Sequence, residues 1–227
     1  MNILSAGAAM GLLRSVAASE GIKFTGEFGA VGAMRERLNN GAACDLIVLT
    51  DKIIAELAVA GVVVADTVTA LGKVRTGVAI PEGATPARVD TTASLKQLLA
   101  NASRIYFPDP ERATAGIHFM KVLTALGLAE SHSARFATYP NGATAMRAMA
   151  DAVDIRAVGV TQCSEILYTE GVQLLGVLPG EFELATVYSA AITANCANRN
   201  AATHLLESLA AARNSLMRIE VGFESVT

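Results

Sequence analysis

Apolar residues along this chain follow two alternating rhythms: short continuous runs, and longer stretches in which they recur every three or four positions. The first is the mark of a buried strand, the second of an amphipathic helix. Strands are predicted at 2–5, 22–28, 46–49, 104–107, 135–139, 156–160, 172–178 and 183–192, with further extended segments at 62–71 and 74–80. Helices are predicted at 8–19, 31–40, 52–60, 94–100, 115–126, 142–152 and 197–212, followed by a short tail. The punctuation agrees: Gly41, Gly61 and Gly127 follow helix ends. Asp51, Thr114 and Asn141 stand where N-caps belong, and Thr161 opens a short helical turn.

Strands and helices that alternate through short connections build an α/β fold, with parallel-rich sheets flanked by helices on both faces. The 227 residues suffice for one large domain or two small ones. In an open parallel sheet, ligands bind beyond the carboxyl ends of the strands. At five such ends the chain runs into a helix through small or polar residues: Gly7-Ala8-Ala9, Gly29-Ala30-Val31, Thr114-Ala115-Gly116, Asn141-Gly142-Ala143 and Thr161-Gln162. A helix start offers unpaired N–H groups and about half a positive charge. Small side chains let a ligand reach that backbone, so converging starts make an anion cradle without a lysine cluster. Taken singly, each junction is also an ordinary cap or turn.

Composition narrows the choice of partner. The formal charge is −3 with signs interspersed and no basic run, which argues against nucleic acid. The longest apolar stretch, 57–65, is far short of the roughly 20 residues of a membrane span, so the chain is not expected to be membrane-embedded. Cys44, Cys163 and Cys196 are widely spaced and form no CxxC or metal-ligand pattern. They read as buried small hydrophobes, and three unpaired thiols suit a reducing compartment; neither a metal nor a cofactor is expected. Met1 abuts the first strand with no basic and apolar leader before it. The expectation is a cytoplasmic protein as the chain is written, and a periplasmic one if a leader was trimmed away. The sequence contains no GxGxxG, Walker A, GxSxG or HExxH motif. Of the histidines, His132 falls in a polar turn and His204 on a helix, and His118, in the helix after Thr114, is the one placed to face a crevice.

Several stretches together resemble one known group. "ILSAGAAMGLL" is similar to the first strand and small-residue turn of the molybdate-binding, ModA-like substrate-binding proteins, which have the periplasmic-binding-protein type II fold. "EFGAVGAMRERLNNGAACDLIVLTD" resembles their second ligand turn and the helix and strand that follow. "FPDPERATAGIHFMKVLTALGL" resembles their Asp-Pro…Ala-Gly helix, "GVLPGEFELATVYSAAI" their return strand and "VGFE" their C-terminal end. The resemblance implies two lobes joined by two crossover strands, with the ligand in the cleft. Lobe 1 would comprise 1–76 plus 188–227 and lobe 2 would comprise 77–187, with crossings near 73–78 and 186–190.

Ligand residues are where this sequence departs from the group. The family holds a tetrahedral oxyanion with one serine hydroxyl in each of the first two turns, backbone N–H groups and a tyrosine. Position by position, the first serine falls on Ala8, the second on Ala30 or Val31, and the tyrosine on Gln162, while the backbone donors fall on Ala115 and Gly142. Losing two hydroxyls to a charged ligand costs on the order of 3–6 kcal/mol, roughly 10²- to 10⁴-fold in affinity. The roomier cradle suits an organic di- or tricarboxylate better than molybdate. Carboxylates gain from bidentate arginine, for which Arg75, near a crossing, and Arg112, just before Thr114, are the candidates.

Two functions of different kinds follow from the resemblance. One is capture of a small anion by lobe closure for an ABC transporter permease, if the protein is exported. The alternative is a cytosolic isomerase of an unsaturated tricarboxylic acid such as aconitate. A 1,3-proton shift needs a placed base and donors for enolate-like charge. His118 or Glu165 would be that base, with Cys163 a weaker third.

Overall fold

Nine strands lie among the residues the computed structural model describes, 1–226, and they belong to two compact units. The first unit comprises Met1–Val74 and the chain from Thr186 on; the second is Arg75–Ala185. The sequence placed these divisions two residues later, after 76 and after 187.

In the first unit, β1 (Asn2–Ala6) pairs in parallel with β2 (Thr25–Gly29) and with β3 (Leu46–Thr50). β3 in turn pairs antiparallel with β9 (Ala185–Ile192). Leu46, Ile47, Val48 and Leu49 are all fully buried, because helices cover both faces of this sheet. α1 (Met10–Ser19) turns Leu12, Leu13 and Val16 inward, and α8 (Arg199–Ala210) turns Leu205 and Leu209 inward. α2 (Val31–Asn39) and α3 (Asp51–Val59) fill the other connections. A further helix, α9 (Ser215–Glu220), forms where the sequence predicts only a tail. Beyond it, Glu224 pairs with Lys73 as an isolated antiparallel bridge.

One buried charge ties this unit together. Asp45, 2% exposed, accepts the N–H of Asn2 (2.7 Å), Ala197 (2.8 Å) and Asn198 (3.0 Å), and the side-chain amide of Asn198 (3.2 Å). It thereby fastens the start of β1 to the cap of α8. Burial pushes its carboxyl up, but the N–H groups of Asn2 and Asn198 more than offset this and hold it down at about 2.

In the second unit, β5 (Ile105–Pro108) lies between β6 (Phe136–Tyr139) and β7 (Val158–Gln162), parallel to both. β4 (Thr69–Pro81) enters from the first unit and pairs antiparallel with β7 and with β8 (Val172–Val177). The sheets are therefore mixed, though mostly parallel. On one face, α4 (Thr92–Asn101) and α5 (Thr114–Ala125) cover a core in which Phe107 meets Phe119 and Phe136 edge-on, at 5.2 and 5.5 Å between ring centres. On the other, α6 (Gly142–Asp151) presses Met146 and Met149 over Gly159, whose missing Cβ leaves the Met146 methyl room. The short α7 (Cys163–Leu167) follows β7 directly.

Helix starts depart from the sequence expectation at three places. Thr114 is the first residue of α5 and its cap is Ala113, because Asp109 captures the preceding loop by accepting the N–H groups of Glu111 and Arg112. Asp51 opens α3 after Thr50 and accepts the Ser189 hydroxyl at 2.6 Å. Thr161 ends inside β7, and α7 is entered from Gln162. Asn141 does cap α6, accepting the Thr144 N–H at 2.9 Å.

Candidate functional site

Parallel strands put their following helices on one sheet edge, so the small-residue junctions gather by unit. In the first unit, Ala6 lies opposite Gly29, and β3 runs alongside β1. The turn Gly7–Ala9, a single 3-10 turn, therefore neighbours the start of α2 at Ala30 and Val31. Ala8 and Ala9 are buried, as are Ala30 and Val31. No side chain caps these starts, nor that of α3 at Thr50. Methyl groups and bare backbone are all that this edge presents at Ala8 and Ala30.

In the second unit, Pro108 lies opposite Tyr139 and Tyr106 opposite Gly159. This brings together the loop 109–113 ahead of α5, the start of α6 and the start of α7. A hollow of about 500 Å³ opens at the loop after β5 and the end of β6, with Asp109, Glu111, Arg112, Thr138 and Tyr139 in its wall. Its volume is that of a small-ligand pocket. Ala115 and Gly116 are buried, and Gly116 is obligatory. A Cβ there would lie 2.2 Å from the Asp109 carbonyl oxygen and 2.3 Å from that of Pro108, which is why α5 can start so close to β5.

The start of α6 is already occupied by the chain itself. Glu165, 5% exposed, accepts the Thr161 hydroxyl at 2.6 Å and the N–H groups of Gly142, Ala143 and Gln162. Gly142 permits this contact: a Cβ on it would lie 1.9 Å from Thr161 Oγ1 and 2.0 Å from Glu165 Oε2. Burial pushes the Glu165 carboxyl up, against the pull of Thr161 and the three N–H groups. The Gly142 donor that the resemblance assigned to a ligand thus faces an internal carboxyl.

Other candidates stand apart from this cluster. His118 donates from Nε2 to the Phe182 carbonyl at 2.8 Å and pins the 3-10 turn Gly180–Phe182 onto α5. Arg75 pairs with Glu183 at 2.9 Å, both partly exposed. Cys163 is buried with its sulfur against Gly77, where a Cβ would lie 2.7 Å away. Burial raises the Cys44 thiol to about 12 and raises that of Cys196 as well. Sequence reasoning missed the Asp109 turn and the Glu165–Gly142 contact. The Asp-Pro at 109–110 was the available signal for the first. Among the described residues there is no cluster suited to a metal ion, and no helix is long and apolar enough to cross a membrane.

The family model described as bacterial extracellular solute-binding protein matches residues 1–223. The chain is similar to an aconitate isomerase of a Pseudomonas species, 25% identical over 225 residues, covering 92% of this chain and 82% of that protein. In structure it is similar to the periplasmic molybdate-binding protein of Azotobacter vinelandii, with a TM-score of 0.81 at 17% identity over 100% of both chains. It is also similar to the sulfate-binding protein SubI of Mycobacterium tuberculosis H37Rv, with a TM-score of 0.71 at 17% identity over 100% of this chain and 86% of that one.

Proposed function

This chain belongs to the bacterial extracellular solute-binding protein family and has the ModA-like type II periplasmic-binding fold, and from that premise we propose that it binds a small organic di- or tricarboxylate. The observation that carries this reading is the pair of helix starts at Ala6 and Ala30, uncapped by any side chain and with no acidic residue in the first turn. Uncapped starts favour an anion through their N–H groups and partial positive charge. Methyl groups at Ala8 and Ala30 favour a ligand that does not depend on hydroxyl donors. In the second unit, Arg112 stands in the wall of the hollow with Asp109 and Glu111 and carries a fork of the kind a carboxylate accepts. The relative named aconitate isomerase supports a tricarboxylate in particular. As a transport module the protein would deliver this anion to an ABC permease from the periplasm; as a stand-alone binder or enzyme it would work in the cytoplasm.

Thermal-shift measurements with citrate, cis- and trans-aconitate, sulfate, molybdate and tungstate test the reading. The tricarboxylates are expected to raise Tm by several degrees. Stabilisation by molybdate or tungstate alone would overturn it. A companion result is expected for Ala8→Ser, which adds one hydroxyl to the Ala8 methyl carbon. Its molybdate affinity should rise by about 10-fold or more, the worth of one hydrogen bond to a charged ligand, as read by calorimetry.

A second reading, a proton-shift isomerase, is favoured by Glu165. A buried carboxyl pushed up by its surroundings can take a proton from one carbon and return it to another. In such a step the base removes a proton adjacent to the double bond, the bond shifts, and the carboxyl, whose proton exchanges with solvent in between, delivers one at the far carbon. Incubation of cis- and trans-aconitate with the protein in D2O, followed by NMR, should show interconversion with deuterium entering at carbon. Glu165→Gln should slow it by about 10²- to 10⁴-fold. Bound aconitate recovered unchanged would leave capture as the function.

A further inference from the structure

Glu165 holds a place that in chemical terms is an anion site. Three backbone N–H groups and the Thr161 hydroxyl point at one carboxyl, at the positive end of a helix of 10 residues. The side chain is 5% exposed, and the residue beneath it, Gly142, has no Cβ to obstruct it. The carboxyl lies on the same carboxyl edge of the second unit as the hollow walled by Arg112 and Tyr139, because β5, β6 and β7 are parallel neighbours.

The ionisable groups around it are few. α7 packs on α6, β7 and β8, and its first residue, Cys163, lies against Gly77 of β4. β7 and β8 carry no ionisable side chain. The charged residues of α6, Arg147 and Asp151, are exposed, and Arg75 of β4 is paired with Glu183. On α7 itself and just past its end the other ionisable groups are Cys163, which is buried, Tyr168 and the exposed Glu170, and the hollow on the same edge adds Asp109, Glu111 and Arg112. The charge of Glu165 is therefore balanced chiefly by helix and hydroxyl dipoles, and a second anion arriving at the same edge raises the cost of keeping it ionised.

We propose that Glu165 is a proton-linked counter-anion. Its carboxyl holds the start of α6 in the empty protein and takes up a proton from solvent when an anionic ligand binds at that edge, so that capture is accompanied by proton uptake. The proposal rests on the carboxylate-binding reading given above. It makes ligand retention stronger at lower pH, and it gives release a trigger when pH rises.

Calorimetric titration with citrate and with trans-aconitate, near pH 6 and in buffers of low and high ionisation enthalpy, tests it. Proton uptake per ligand, read from the change of enthalpy with buffer, should be greater in the wild type than in Glu165→Gln by a few tenths of a proton to one proton, whatever the affinity of that variant. Binding with the same buffer dependence in the two proteins overturns the proposal and leaves the carboxylate reading standing. Failure of both acids to bind overturns both. A ligand-free measurement stands beside these: wild-type Tm should fall as pH is raised from about 5 to 8 relative to Glu165→Gln. Parallel curves would count against a titrating Glu165.

Discussion

Replacing Gly142 with alanine is expected to cost about 3–5 kcal/mol of stability, the range for breaking a buried charge away from its partners. The new methyl carbon would lie 1.9 Å from Thr161 Oγ1 and 2.0 Å from Glu165 Oε2, well inside contact distance. Thr161 belongs to a central strand and is fully buried, so it has little room to yield. The carboxyl must then leave the three N–H groups it accepts, stranding both parties in a dry place. Denaturant unfolding of wild type, Gly142→Ala, Glu165→Ala and the double variant separates this from simple crowding. The alanine at 142 should cost at least 1 kcal/mol less when Glu165 is already gone. Additive costs would mean that the methyl clashes with the fold at large and not with the carboxyl.

Asp45→Asn should be nearly as damaging, by about 2–4 kcal/mol at neutral pH, for a different reason. An amide presents a donor where Asn2, Ala197 and Asn198 already point N–H groups, and it cannot accept from all of them. The same set makes the wild-type protein acid-sensitive over a defined interval. Because the folded carboxyl is held down at about 2 from an ordinary 3.8, its contribution is present above that ordinary value and disappears as pH falls to about 2. The shift corresponds to stability on the order of 2 kcal/mol. Acid titration of unfolding free energy should show this loss in the wild type and its absence in Asp45→Asn. Equal acid slopes in the two proteins would remove Asp45 from the account.

The strand–helix order was readable because buried strands and amphipathic helices differ in period, and no element of the core was misassigned in type. Strand direction was not readable. The run Thr186–Ile192 is as apolar as a parallel strand would be, because helices bury both faces either way; its antiparallel pairing with β3 depends on where the chain re-enters, which no local pattern encodes. Caps failed where two candidates competed: Asp109, five residues ahead of Thr114, takes the loop N–H groups and leaves the threonine inside the helix. The helix α9 was missed because six residues with no buried side chain carry no periodic signal. In the candidate site, the small junctions were legible as types. Glu165 was legible as a possible base but not as the occupant of α6, since its partners at Gly142 and Ala143 lie more than one element away in sequence.

The thiols bear on where such a chain can operate. Cys44 is held at about 12, Cys196 is raised as well, and Cys163 is shut in against β4. Disulfide exchange and oxidation proceed through exposed thiolate; burial disfavours that form at Cys44 and Cys196 and hides the Cys163 sulfur. No disulfide joins the three cysteines, so packing and hydrogen bonds hold the fold without a cross-link. A core held this way needs no oxidising step in its folding.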